Sequence, residues 1–124
     1  MSTYKNEIAG AEFDWFAKDT SGNIGLFATS GEGVVPEIVS RNFKEHSRIT
    51  DSLESPNWGS EDVWSDYSGL GLYVYDWRLP VGPYELKKTP TSNISNELKI
   101  QIESLSSLII LKVDYSECHT IESV

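Results

Sequence analysis

The residue types that carry acid–base or nucleophilic chemistry are sparse here, apart from carboxylates. The chain holds one cysteine, Cys118, and two histidines, His46 and His119. Cys118 and His119 are sequence neighbours, and successive side chains usually diverge, so adjacency does not make a nucleophile–base pair. Zinc would need more Cys or His than this, unless carboxylates completed the set. His46 continues a helical stripe of Val35, Val39 and Phe43, which reads as a core or boundary histidine. Asp14 and Asp19 flank one β-like run, and Asp66 and Asp76 flank Gly69 and Gly71. A general acid among them would need burial and a raised pKa, so ordinary surface charge is the first expectation.

The glycine-rich stretch Ser30-Gly-Glu-Gly33 raises the question of a phosphate cradle. A dinucleotide fingerprint needs a third glycine where Pro36 stands. A Walker loop needs Gly-Lys-Ser/Thr, which is absent, and Glu32 would repel a phosphate. The stretch therefore reads as a tight strand-to-helix connection.

The net charge is −9. Such a field repels nucleic acid and anionic membranes and attracts basic partners. No basic stripe is present to neutralise phosphates, and Lys87-Lys88 is too short to serve. No Lys or Arg occurs between Arg48 and Arg78. That window holds Asp51, Glu54, Glu61, Asp62, Asp66 and Asp76 beside Trp58, Trp64, Tyr67 and Trp77. One reading is a solvated acidic loop with core aromatics. The other is a surface for a partner rich in Lys and Arg, in which aromatics anchor and carboxylates steer. On that second reading Trp58, Glu61, Asp62, Trp64 and Asp66 make contact, and Asp51 and Glu54 steer.

The elements that must position these groups follow from periodicity. A chain of 124 residues suits one domain and buries its core without staples. Residues 1–10 read as a loose arm or edge segment. Phe13, Trp15 and Ala17 alternate with Asp14, Phe16 and Lys18, a strand period. Thr20-Ser-Gly-Asn23 supplies a turn, with Gly22 and Asn23 both able to take positive φ. Ile24 to Thr29 completes a hairpin. Pro36 opens a helix running to about Ile49, with Glu37 in its first turn. Ser52 to Ser60 reads as loop, and Glu61 to Asp66 as a short helical turn. Gly71–Trp77 and Tyr84–Lys88 form a second hairpin around Leu79-Pro-Val-Gly-Pro83. Ile94, Leu98, Ile102, Leu105 and Ile109 recur at helical spacing, although Leu98, Ile100 and Ile102 also alternate as a strand would. The longer pattern favours a helix over 95–106. Leu108 to Val113 is then a last strand or extended segment. The sum is α+β: an antiparallel sheet of two hairpins and a last strand, with two helices on one face.

Leu108 to Leu111 is the longest apolar run, far short of the ~20 residues that cross a bilayer. MSTYKNEIAG lacks the apolar core of a signal peptide, and one cysteine admits no internal disulfide. The expected compartment is the cytoplasm.

Residues 14–37 resemble the start of small bacterial proteins found beside polymorphic and contact-dependent toxins. The match falls on Trp15, Phe16, Ala17, Asp19, Gly22, Ile24, Phe27, Ser30, Gly31, Gly33, Val35 and Pro36. "GLYVYDW", "GPYELKKTP" and "KVDYSE" are similar in style to later segments of such proteins. The resemblance implies an immunity protein that binds a cognate toxin domain, commonly a nuclease, and does no chemistry itself. Taken with the −9 charge, the single cysteine and the lack of a catalytic constellation, it leads to the expectation of a basic partner bound one-to-one, with no catalytic residue, cofactor or metal. Two other readings stand beside it: a small carboxylate-dependent hydrolase near Asp14, Asp19 and the Gly31–Gly33 loop, and an acidic regulatory module for some other basic protein.

Overall fold

The computed structural model describes residues 13–53, 55–57, 60–122 and 124. The expected N-terminal arm lies outside them, as do the candidate contacts Glu54 and Trp58. The first hairpin pairs β1, Asp14–Lys18, with β2, Ile24–Ala28. Its turn is built around Asp19, which is buried and accepts from the Ser21 and Asn23 amides at 3.0 and 2.7 Å. Gly22 takes the positive φ, at 84°. Asn23 contributes hydrogen bonds to Asp19 through its backbone and its side-chain amide.

The expected single helix is two. α1 spans Glu37–Arg41 and α2 spans Phe43–Ser52, divided at Asn42 with φ −121°. The Asn42 side chain donates to the Ile38 carbonyl at 2.8 Å, competing with the helical ladder as Asn does. α3, Val63–Gly69, is longer than the expected turn. The second hairpin pairs β3, Tyr73–Trp77, with β4, Tyr84–Lys88. α4 spans Asn96–Glu103, and the Ser95 hydroxyl caps it by accepting from the Leu98 amide at 3.1 Å. Leu98 and Ile102 are buried while Ile100 is 64% exposed, so the helical period governs here and the strand-like alternation is incidental. Two short strands finish the sheet: β5, Ile109–Ile110, and β6, Thr120–Ile121.

The fold is α+β, but the sheet is mixed rather than antiparallel. Its order is β5-β1-β2-β3-β4-β6. β2 and β3 are parallel neighbours, and so are β1 and β5. The physical reason lies in the connection between β2 and β3. It carries three helices, enough chain to return to the starting end of the sheet and lay β3 parallel to β2.

Helices from both expected segments do pack on one face, with α3 beside them, but the other face of the sheet is buried as well. Trp15, Phe16 and Ala17 have no exposed surface, so β1 points apolar groups both ways. On one face Phe16, Leu26 and Val74 pack with Val63, Tyr67, Leu98 and Ile102 from α3 and α4, and α2 adds Ile49. On the other face Trp15, Phe27 and Tyr75 stack at centroid spacings of 4.6 and 5.0 Å. That face is closed by Val39 of α1 and by the C-terminal segment, through Leu111, Tyr115 and Ile121.

Candidate functional site

The Gly31–Gly33 stretch resolves first. Its amides turn inward: Gly33 and Glu32 donate to the Thr29 carbonyl at 2.8 and 3.1 Å, and Gly31 donates to the Thr29 hydroxyl at 3.3 Å. The turn is closed on itself, as a strand-to-helix connection. A Cβ on Gly33 would stand 2.6 Å from the Tyr84 hydroxyl oxygen, so glycine is needed for close packing. That hydroxyl accepts from Trp15 Nε1 at 3.2 Å and donates to the Val34 carbonyl at 2.7 Å.

A second constellation joins residues far apart in the sequence. Glu45 and His46 in α2 meet Ser107 in the loop after α4. The Phe16 amide donates to His46 Nδ1 at 3.1 Å, which leaves the proton on Nε2. Nε2 then donates to Ser107 Oγ at 2.8 Å, and the Ser107 hydroxyl donates to the Glu45 carboxylate. The residue types are those of a hydrolytic triad, but the polarity is reversed. The serine proton points at the carboxylate, and the imidazole has no free lone pair to receive it. His46 and Ser107 have no exposed surface. Burial pushes the His46 pKa down to about 4, against a smaller opposing pull from Glu45. For Glu45 burial pulls upward, but the hydrogen bonds from Ser107 and Ser106 together outweigh it and leave the carboxyl below its ordinary value. The network ties α2 and the 104–108 loop to β1, and occupies a backbone N–H that β5 is too short to reach. His46 was legible as a core residue; its partners were not, because they lie 30 and 61 positions away.

Asp19 and Asp14 stand at opposite ends of β1, so the hydrolase centre expected from them does not assemble. Asp19 also accepts from the Tyr115 amide at 3.0 Å and acts as a structural anchor. Cys118 donates to the Thr120 carbonyl at 3.1 Å, and its own carbonyl accepts from the Tyr75 hydroxyl. His119 is exposed, and its carbonyl accepts from the Leu86 amide at 2.8 Å.

Among the described residues, a groove of about 940 Å³ lies where β1, β2 and β3 meet α2 and α3. One wall carries Thr50 and Asp51 of α2 and Glu61, Asp62 and Trp64 at the start of α3. Asp51, Glu61 and Asp62 are exposed, and Trp64 is half-buried with its ring 6.2 Å from that of Tyr67. Burial pushes the Tyr67 hydroxyl up to about 12, and Asp14, Asp66 and Asp51 add to it. The sheet contributes Asp14, Ala28 and Asp76, and Lys87 and Lys88 supply the cationic side. Four of the expected contact residues, Asp51, Glu61, Asp62 and Trp64, thus line one groove. Asp66 does not. Its carboxylate takes both the backbone and side-chain amides of Asn57, each at 2.9 Å, and staples the loop before α3. Asp14 and Asp76 join the groove through sheet pairing that the sequence alone does not reveal.

Among the described residues, no helix is long and apolar enough to cross a membrane. Comparison of the chain with family models, with curated proteins and with solved structures finds no match.

Proposed function

We propose that this protein is a cytoplasmic immunity protein that binds a cognate basic toxin domain one-to-one through the acidic groove. The observation that carries the reading is the gathering of Asp51, Glu61 and Asp62 with Trp64 along one concave wall. Carboxylates at a rim raise the rate of encounter with a cationic partner, and a half-buried tryptophan supplies contact area at low conformational cost. The net charge of −9 extends that attraction beyond the groove. A nuclease toxin must present positive charge to phosphates, so an acidic wall competes directly for its substrate channel. The reversed polarity of the Glu45–His46–Ser107 network favours a binding protein over a hydrolase.

The test is association kinetics with the toxin domain encoded by the adjacent gene, together with growth rescue on co-expression. Glu61→Lys with Asp62→Lys should slow association and flatten its salt dependence. Unchanged kinetics at low salt would reject the groove as the binding surface, and failure of the wild-type chain to bind or rescue would reject the immunity reading.

A further inference from the structure

The helix α2 is pinned to the sheet by a polar residue. Of its ten residues His46 alone is fully buried. Phe43 and Ile49 are half-buried, Phe43 with its ring 5.9 Å from that of Phe13. The backbone leaves the helix at both ends, at Asn42 with φ −121° and at Leu53 with ψ 144°. A helix this short is marginal alone and holds its place through what it packs on. Here both imidazole nitrogens are committed: Nδ1 accepts from the Phe16 amide at 3.1 Å, and Nε2 donates to Ser107 Oγ at 2.8 Å. Glu45 beside it takes the Ser106 hydroxyl at 2.9 Å and the Ser107 amide at 3.0 Å. The same helix supplies Ser47, Thr50 and Asp51 to the groove. The residue that anchors α2 and the residues that shape the groove thus ride on one rod.

A second proton has no place at Nδ1 while the Phe16 N–H points at it, so it enters only as α2 leaves β1. Among the described residues, the titratable groups on this side are Asp14 and Lys18 of β1, Tyr67 of α3, Glu103 of α4, and Lys44, Glu45, Arg48 and Asp51 of α2 itself. Lys18 and Glu103 pair with each other at 2.7 Å. Glu45 pulls on the imidazole toward protonation, and burial opposes it more strongly. Resting on the binding reading above for its use, we infer that His46 is an acid-operated switch on the groove. One proton taken up there releases α2 from β1 and from the 104–108 loop, and the wall of Ser47, Thr50 and Asp51 parts from Glu61, Asp62 and Trp64. The sheet stays paired, because Phe16, Leu26 and Val74 pack with Val63, Tyr67, Leu98 and Ile102 of α3 and α4. Acid therefore weakens the hold on a partner, and a bound partner makes His46 harder to protonate.

The experiment is amide hydrogen exchange of the full chain from about pH 4.5 to 7.5, repeated in low urea. The switch predicts that the Ser47 and Thr50 amides exchange through an opening smaller than global unfolding. They are then less protected than Leu26 and Val74 and nearly indifferent to urea. Their protection factors fall by up to about tenfold per pH unit below pH 6.5, where a released histidine binds its proton. His46→Gln keeps an acceptor and a donor but gains no proton, and should flatten that dependence. If it does not fold, Asp51→Asn with Glu61→Gln and Asp62→Asn decides: these exposed positions lose their carboxylates, and the slope should persist. Exchange of Ser47 and Thr50 only on global unfolding, a slope unchanged in folded His46→Gln, or a slope lost with the groove carboxylates overturns the switch. A toxin that ignores the wild-type chain would reject the immunity reading and leave this result standing. Toxin binding by a chain whose α2 opens only with the whole fold would reject the switch alone.

Discussion

His46 Nδ1 accepts the backbone N–H of Phe16 at 3.1 Å, so a side chain from α2 completes the hydrogen bonding of β1 beyond the two residues that β5 pairs. The bond requires a neutral imidazole. Protonation at Nδ1 would set two hydrogens against each other inside the core.

The pH dependence of stability follows from that requirement. His46 has a folded pKa of about 4 against an ordinary 6.5, with burial as the main cause. Between these values the unfolded chain binds the proton and the folded chain does not, so stability rises with pH. The contribution is fully present above about pH 6.5 and is lost as pH falls toward 4, with a limit of roughly 3 kcal/mol. Glu45, whose carboxyl is lowered in the fold, adds a loss in the same direction at still lower pH. Urea unfolding from pH 4 to 8 checks this. His46→Gln should be less stable at pH 7 and should show a flatter slope between pH 4 and 6.5.

Ser107→Ala removes the hydroxyl shared by His46 and Glu45 and leaves a buried imidazole N–H without its acceptor. The expected loss is about 1–3 kcal/mol. Combined with His46→Phe, the losses should be less than additive, because the orphaned donor is then gone. A double-mutant cycle by chemical denaturation measures the coupling.

Asp19→Ala should be among the most damaging carboxylate replacements in the chain. The buried side chain accepts from three amide groups of the first turn and from the Tyr115 amide that closes the opposite face. Leaving buried donors unpaired costs about 1–3 kcal/mol for each fully desolvated group. Thermal unfolding reads the loss, and a variant as stable as wild type would remove Asp19 from its anchoring role.

Gly33→Ala should destabilise by about 1–3 kcal/mol through the clash with Tyr84. Tyr84→Phe removes the nearest obstructing atom, so the Gly33→Ala penalty should shrink in that background. Unfolding free energies of the four variants in the cycle test this.

Asp66 and the groove acids should separate cleanly. Asp66→Ala should raise hydrogen exchange at the Asn57 amide and cost about 0.5–1.5 kcal/mol, because it frees a stapled loop. Glu61→Lys and Asp62→Lys, both at exposed positions, should leave stability within about 0.5 kcal/mol. The contrast is read from urea midpoints and amide exchange.

Local features were legible because they depend on near neighbours. The hairpin at Thr20–Asn23, the strand–turn–strand of 71–88, the helix phase of Leu98 and Ile102 and the tight strand-to-helix connection at 30–33 follow from side-chain period and turn chemistry. The acidic, tryptophan-bearing window was equally visible, and four of its five described candidate residues line one groove. Asn42 is a partial failure of the same reading: the stripe through Val39, Phe43 and His46 is helical, but one amide side chain competes with the backbone and divides it.

The amino-acid sequence by itself determined most of the elements, the turns of the hairpins and the sign of the net charge, since each is set within a few residues or by composition. Tertiary structure alone decided what those elements meet. The long β2–β3 connection made the central pair parallel, and that pairing set Asp14, Ala28 and Asp76 in one row. Close packing of α2 against β1 brought His46 to Phe16 and Glu45 to Ser107, and loop closure tied Asp66 to Asn57. Each of these contacts is fixed by how the whole chain fills space, which no local period encodes.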